Sequence, residues 1–167
     1  MRRMRIATFC LIGVLVLSLT AIGPAKADEY PALEGLKSIK MVFDFRAGSP
    51  KMAATLFGLI EAAIKDESVN GAVGKPEVAV VFIGPSVKVI SKDRTGFKPE
   101  DTEYLDKIRA SIKALKKDGV KLEVCLVAAE MLNVDPKSLF SEIKHVGSGW
   151  FSVAGYQAKN FGLIAAY

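Results

Sequence analysis

The segment VKLEVCLVAAEML, Val120 to Leu132, contains the change from strand to helix around which the fold prediction is built. Its first half alternates apolar with charged side chains up to Cys125, which is the period of a β-strand. Its second half, from about Leu126, favours a short helix that ends at Asn133. The cysteine therefore lies at a junction, where it is either a small buried hydrophobe or a thiol placed to react.

The same change of period recurs along the rest of the chain. Alternating or β-branched runs predict strands at 36–46, 77–83, 120–125, 144–147 and 163–167. Helices are predicted at 50–66, 99–118 and from Ser148 to near Gly162, with a loop at 68–75, while the run 86–91 fits either a short strand or one helical turn. This alternation indicates an α/β fold, a three-layer α/β/α sandwich with a mostly parallel sheet of about five strands.

Two of the predicted helices are expected to cover the sheet with an apolar face. In the helix at 50–66, that face is predicted to contain Met52, Leu56, Leu59, Ile60 and Ala63. In the helix at 99–118, it is predicted to contain Leu105, Ile108, Ile112 and Leu115. Acidic residues open the second helix and lysines close it, which is the charge order that the helix dipole favours.

Residues 1–27 have the pattern of a signal peptide for export. Three arginines among the first five residues precede an uncharged apolar run, and residues 25–27 read Ala-Lys-Ala, a small-x-small cleavage pattern. We expect a mature periplasmic chain that starts near Asp28 and forms one domain, 28–167. The competing interpretation is a retained membrane anchor, because ~17 to 25 apolar residues are enough to span a bilayer.

The expected mature chain is nearly neutral. The signal segment holds four of the 23 basic residues and none of the 18 acidic ones, so 19 basic and 18 acidic residues remain after cleavage. Nucleic-acid binding is therefore not expected, because proteins that bind nucleic acid carry a clustered basic face. Membrane attachment is not expected once the signal has been removed.

The carboxyl ends of the predicted strands indicate where a functional site lies, because ligands of open α/β sheets bind beyond those ends. Cys125 is the candidate catalytic residue, since a thiol just before a helix start meets unpaired N–H groups that favour a thiolate. The other candidate residues at this rim are Asp44, Arg46, Gly84, Ser148 and Gly149. The aspartate and arginine equally fit a solvated ion pair of small energetic value, and the Ser-Gly turn is only loosely similar to an anion-binding turn.

The alternatives to a reactive Cys125 stay open. It is the only cysteine of the expected mature chain, so it forms no internal disulfide, and unpaired cysteines are often simply buried. A Cys/His nucleophile would need His145, the single histidine, and no local pattern places the two together. No metal or cofactor is expected, because one histidine and one cysteine do not furnish a zinc or copper site and neither a Walker loop nor a G-x-G-x-x-G fingerprint is present.

The order of these segments resembles the DsrE/DsrF-like family, sulfur-relay proteins with a YchN-like fold. The resemblance spans Ile39 to Tyr167 and rests on VFDFRAGSP, VVFIGPSVKVI, LKKDGVKLEVCLVAAEMLNVDP and SGWFSVAGYQAKNFGLIAAY. It implies that Cys125 matches the cysteine that carries sulfur as a persulfide in relay members, and that the chain self-associates, as such members often do in trimers or hexamers. The sequence departs from the family pattern at residues 126–128, Leu-Val-Ala, where many relatives have glycine or polar residues.

Two hypotheses follow from the residues and the resemblance together. In the first, an exported DsrE-like protein acts in sulfur or thiol handling, and the Cys125 thiolate takes sulfur from an unidentified donor and passes it to an unidentified acceptor. Such a protein is a carrier rather than a conventional turnover enzyme. In the second, the protein is a non-catalytic oligomeric binding or assembly module in which Cys125 is only packed. The accessibility of the native thiol separates the two.

Overall fold

The centre of the molecule is a five-stranded parallel sheet. The computed structural model describes residues 30–167, so the predicted signal peptide lies outside the described residues. The strands have the spatial order β4-β3-β2-β1-β5 and comprise β1 Lys40–Phe45, β2 Glu77–Phe82, β3 Lys121–Cys125, β4 Lys144–Val146 and β5 Gly162–Ala166. The prediction of an α/β fold with a parallel sheet is confirmed.

Helices lie on both sides of this sheet. They are α1 Pro50–Lys65, α2 Glu67–Val73, α3 Ser86–Val89, α4 Thr102–Lys117, α5 Leu126–Met131 and α6 Gly149–Gln157, and single 3-10 turns occupy Pro31–Leu33, Pro99–Asp101 and Pro136–Ser138. α1 and α4 pack against each other on one face, and α6 packs across β1, β2 and β3 on the other. Within residues 30–167, no helix has the length and apolar character needed to cross a membrane.

The face covered by α1 and α4 holds an aromatic cluster. Phe57 of α1 lies with its ring centroid 4.9 Å from that of Phe45 and 5.8 Å from that of Phe82, and the two strand rings are 5.4 Å apart. All three side chains are fully buried. Such pairs contribute roughly 0.5–1.5 kcal/mol each beyond their area burial. The predicted stripe of α4 is buried as expected and comprises Leu105, Ile108, Ile112 and Leu115.

The helix α1 is rotated relative to the sequence prediction. Met52 and Leu59, which were predicted to face the sheet, are exposed. Ile60 alone belongs to both the predicted and the observed buried set, because the observed set is Pro50, Ala53, Phe57, Ile60 and Ile64. The predicted face is wrong because α1 is apolar on more than one side, and the large ring of Phe57 determines which side fills the space above β1 and β2.

The predicted loop at 68–75 is mostly the helix α2. Asp66 caps this helix, and its carboxylate accepts hydrogen bonds from the N–H groups of Ser68 (2.9 Å) and Val69 (3.0 Å). Val73 anchors the other end in the core, and Gly74 ends the helix with φ +73°, a conformation that glycine adopts without penalty. The undecided run 86–91 begins with the single helical turn α3.

The strand register assigns each side chain to one face of the sheet. Phe45, Phe82 and Val124 are in register, and they point toward α1 and α4. Because successive side chains of a strand point to opposite faces, Cys125 points toward α6. The thiol therefore lies at the carboxyl end of β3, between the sheet and α6.

Candidate functional site

Cys125 is both the last residue of β3 and the N-cap of α5. Its backbone is still extended, with φ −72° and ψ 111°, and the helix starts at the next residue. The Ala128 N–H donates a hydrogen bond to Sγ, with a nitrogen–sulfur distance of 3.4 Å. Cys125 thus takes the role that serine or aspartate usually has at a helix start, and its sulfur satisfies a backbone donor that the helix leaves unpaired.

The first turn of α6 closes over this thiol. Only 4% of Cys125 is exposed, so the question of accessibility that the sequence left open is answered for the chain by itself: the cysteine is buried. A Cβ added to Gly149 would lie 3.0 Å from the Cβ of Cys125 and 2.7 Å from Cγ1 of Ile83. The close approach of α6 to β2 and β3 therefore requires a residue without a side chain at position 149.

Two loops meet beside the thiol. The Val127 N–H donates to the Gly147 carbonyl at 3.2 Å, which ties the start of α5 to the loop after β4. The same carbonyl lies 4.0 Å from Sγ of Cys125, at the outer limit for a weak S–H donor. The carboxyl end of β3 and the start of α6 are thus held together by backbone contacts as well as by packing.

Asp44 and Arg46 form a site of their own. The guanidinium donates through Nε and Nη2 to the carboxylate, with two distances of 2.9 Å, and the aspartate is buried. This hydrogen bond, opposed by burial, raises the pKa of Arg46. The guanidinium turns toward the ring of Tyr167, 5.9 Å from its centroid. β1 is two strands from β3, about 10 Å away at the usual strand spacing, so the ion pair and the thiol share an edge of the sheet without sharing a contact.

The remaining predicted rim residues have structural roles in the turns. Gly84 follows β2 with φ +62°, a left-handed conformation that opens the turn into α3. Ser148 is the N-cap of α6, as predicted by position, but its side chain makes no capping hydrogen bond. Of the five rim candidates, only Gly149 directly approaches the Cys125 side chain.

His145 lies on the other face of the sheet from Cys125. Its register partner is Val124, whose side chain points toward α1 and α4. The described chain by itself therefore forms no Cys/His pair. Within residues 30–167, no group of three or more His, Cys, Asp and Glu side chains is placed to hold a metal ion.

Sequence reasoning missed two backbone contacts of the thiol, from Ala128 and Gly147, and the role of Ile83, which packs with Cys125 against the start of α6. Ile83 directly follows β2. Because the carboxyl ends of parallel strands lie at one edge of the sheet, its place near Cys125 could be expected, but its packing against α6 could not. The backbone groups of Ala128 and Gly147 carry no side-chain signal. Their positions follow from the cap geometry and from the path of the loop after β4.

Comparisons with known proteins agree with this architecture. The model of the DsrE/DsrF-like family matches residues 37–165. Among solved structures, a protein of unknown function, MTH1491 from Methanobacterium thermoautotrophicum, is similar with a TM-score of 0.60 and 16% identity, over 77% of this chain and 99% of that chain. The ychN protein from E. coli has a TM-score of 0.47 and 12% identity, over 76% of this chain and 98% of that chain. None of the curated proteins matches this chain.

The family match is stronger evidence for family membership than the structural similarity is. At 16% identity, the similarity to MTH1491 shows a shared fold. The family model, in contrast, extends from before β1 into β5 and covers β1 to β4, the six α-helices and most of β5. With this match and the five-stranded parallel sheet, the chain belongs to the DsrE/DsrF-like family, for which sulfur relay is the family-level function.

Proposed function

We propose that the protein is exported to the periplasm and handles sulfur there, with Cys125 carrying sulfur as a persulfide. The observation that supports this best is the hydrogen bond from the Ala128 N–H to Sγ of Cys125, at 3.4 Å. This donor fixes Sγ at the junction of β3 and α5, at the sheet edge where ligands of open α/β sheets bind. The family match adds support, because it includes this cysteine.

The proposed transfer exchanges one sulfur–sulfur bond for another. The Cys125 thiolate attacks a terminal sulfur of a polysulfide, a new S–S bond forms, and the donor leaves one sulfur shorter with the electron pair of the broken S–S bond. In the second step, an acceptor thiolate attacks the outer sulfur of the Cys125 persulfide, and Cys125 leaves as a thiolate. No external oxidant or reductant is consumed, because the number of S–S bonds does not change.

Access to Sγ is the requirement that the fold places on this function. The thiol is buried beneath Gly149 and beside Ile83. A donor therefore reaches it only when the first turn of α6 separates from the sheet, or when assembly changes the position of that turn. We infer that opening of this turn, rather than the exchange step, limits the rate of sulfur uptake.

Treatment of the purified protein with polysulfide is expected to add the mass of one or more sulfur atoms at Cys125. Intact mass spectrometry with peptide mapping measures this gain, and dithiothreitol is expected to reverse it. The untreated mass also tests export processing, because cleavage after Ala27 gives a chain that begins at Asp28. Cys125→Ser is the matched control. An equal gain in the serine variant would refute the carrier function.

A second candidate function is a non-catalytic assembly module in which Cys125 is only packed. The observations that favour it are the burial of the thiol and the exposure of large apolar side chains on α5 and α6, the two helices that begin beside it. We call these exposed side chains the rim patch, and its members are Val127, Met131, Trp150 and Phe151. Trp150 is 70% exposed and Phe151 is 82% exposed. Exposed apolar groups of this size commonly mark a contact surface.

We propose self-association of the chain through this rim patch, which fits a sulfur carrier and an assembly module alike. Trp150→Lys is expected to lower the molar mass in solution to that of one chain, because an ammonium group is costly to bury at an apolar contact. Light scattering after size exclusion measures the mass. Met52→Lys, at an exposed apolar position of α1, is the matched control. Loss of assembly in this control alone would place the contact elsewhere.

A further inference from the structure

A second concave site lies toward the amino end of the sheet. It is a cavity of about 640 Å³, within the range of roughly 300–1,000 Å³ typical of small-molecule sites. We call it the lysine cleft, and its charged lining residues are Lys40, Lys121, Lys144, Lys159, Glu77 and Glu123. Cys125 does not line it. The thiol is therefore not part of the cleft wall, although Val146, the register partner of Cys125, and Phe151 of the rim patch both line the cleft.

The register explains why charged side chains converge there. Lys40 is in register with Glu77, and Glu123 with Lys144, so all four point to the α6 side of the sheet. Covered faces of parallel strands are usually apolar throughout. α6 has nine residues, begins against Cys125 and ends near Tyr156, which gives it a length of about 14 Å. The amino-terminal part of the face is left open and charged.

The lysines of the cleft are only partly compensated. Glu77 serves two of them: its carboxylate lies 3.3 Å from Nζ of Lys40 and also accepts a hydrogen bond from Lys121. Lys144 and Lys159 form no salt bridge with any residue of the described part of the chain. Four lysines against two glutamates leave the lining with an excess of two positive charges.

The second glutamate of the cleft, Glu123, accepts a hydrogen bond from a tyrosine. The Tyr156 hydroxyl donates to Oε1 of Glu123 at 3.1 Å. Burial, followed by the charge of Glu123, raises the pKa of Tyr156, so the hydroxyl keeps its proton and the hydrogen bond persists. Oε1 of Glu123 is therefore engaged by the tyrosine, and Glu123 forms no salt bridge within residues 30–167. The ring of Phe161 lies behind Lys40 and Lys121, with their nitrogens 5.6 and 5.3 Å from its centroid, and forms an apolar wall.

We propose that the lysine cleft binds a small organic anion with at least two negative charges, of the polycarboxylate or phosphate-ester class. Its charged groups pair with Lys144 and Lys159, which come from β4 and from the segment after α6, and its carbon skeleton lies against the apolar wall. The excess positive charge of the lining selects the sign of the ligand. The concave shape of the cleft and the convergence of lysines from separate elements favour a small molecule over a flat macromolecular surface.

Isothermal titration calorimetry at low ionic strength tests this proposal on the purified protein. The probes are citrate for the polycarboxylates and glycerol 2-phosphate for the phosphate esters, with acetate as a singly charged reference. Saturable binding of at least one dianionic or trianionic probe, weakened by added salt, is expected. The K144Q/K159Q double variant is expected to bind about tenfold more weakly or worse, because it loses two charge-assisted contacts.

Matched variants decide how the result is interpreted. The double variant Lys92→Gln/Lys137→Gln removes two exposed lysines outside the cleft, and it is expected to retain the affinity of the unmodified protein. Cys125→Ser is also expected to retain it, so failure of the sulfur proposal does not decide this one. Absence of saturable binding for both probes, or equal weakening in the two lysine doubles, would overturn the proposal. A lower molar mass of K144Q/K159Q with unchanged anion affinity would show instead a contact between chains.

Discussion

Phe57→Ala is expected to lower the free energy of unfolding by about 3 to 5 kcal/mol, the usual cost of removing a buried ring. Phe57 is fully buried, and its ring contacts those of Phe45 and Phe82 at centroid distances of 4.9 and 5.8 Å. Truncation therefore loses the transfer free energy of the ring, leaves a cavity between α1 and the sheet, and removes two aromatic contacts. Urea denaturation followed by circular dichroism measures the loss.

Leu59→Ala is the matched control on the same helix. Leu59 is 61% exposed, so its truncation is expected to change the free energy of unfolding by no more than about 0.5 kcal/mol. Phe57 lies on the observed buried face of α1, and Leu59 lies on the face predicted from sequence periodicity. The pair of variants therefore tests which face packs against the sheet. A larger loss for the leucine than for the phenylalanine would contradict the observed rotation of α1.

The rotation of α1 shows what periodicity does and does not establish. The sequence PKMAATLFGLIEAAIK predicts a helix, because apolar residues recur at helical spacing. Two overlapping faces satisfy that spacing, one through Met52 and Leu59 and the other through Ala53 and Phe57. Spacing alone does not choose between them. The choice follows from the volume between α1 and the strands, which the ring of Phe57 fills.

The helix α2 was missed because its local sequence favours a loop. Asn70, Gly71 and Gly74 lie within or next to it, and such residues have low helix propensity. Its stability comes from contacts outside the short segment. Asp66 caps its first turn and also accepts a hydrogen bond from the Tyr30 hydroxyl at 2.6 Å, while Val73 enters the core. Tertiary contacts of this kind override a weak local preference.

The strands were predictable because their pattern is strong over short distances. The run EVAVVF of β2 is almost entirely buried, as its β-branched composition indicates. The alternation in β3 correctly ends at Cys125, where the backbone leaves the extended region for α5. Because the strands are parallel, their carboxyl ends lie at one edge of the sheet. The sequence therefore predicts that Cys125, Gly84 and Gly149 lie at the same edge, but not which of them are in contact.

The covering of the thiol was not predictable in the same way. It depends on how closely α6 approaches the sheet at Gly149, next to Ile83 and Cys125, and these residues are far apart in sequence. The lysine cleft was hidden for a related reason. Lys121 and Glu123 alternate with apolar residues, which is the pattern of a solvent-facing strand side. Only the short length of α6 shows that their side of the sheet is half covered.

Gly149→Ala is expected to raise the alkylation rate of native Cys125 by about tenfold or more. The added Cβ would lie 2.7 Å from Cγ1 of Ile83 and 3.0 Å from the Cβ of Cys125, distances that force the first turn of α6 to shift. Overpacking of this kind costs about 1–3 kcal/mol, and each 1.4 kcal/mol changes the population of an open state about tenfold. Iodoacetamide labelling, quantified by mass spectrometry of the peptide that carries Cys125, measures the rate.

Gly155→Ala separates this local effect from a general change in α6. Gly155 is in the same helix, and a Cβ added there meets no atom within 4 Å, so alanine is expected to leave the labelling rate unchanged while favouring the helix slightly. If Gly149→Ala also speeds sulfur uptake from polysulfide, opening of the first turn of α6 limits access to the thiol, as the carrier function requires. If labelling of Cys125 is already fast in the unmodified protein and Gly149→Ala does not alter it, the first turn of α6 does not gate the thiol. If Cys125 stays unlabelled until Gly149→Ala unfolds, the cysteine is a packed residue and the assembly module remains.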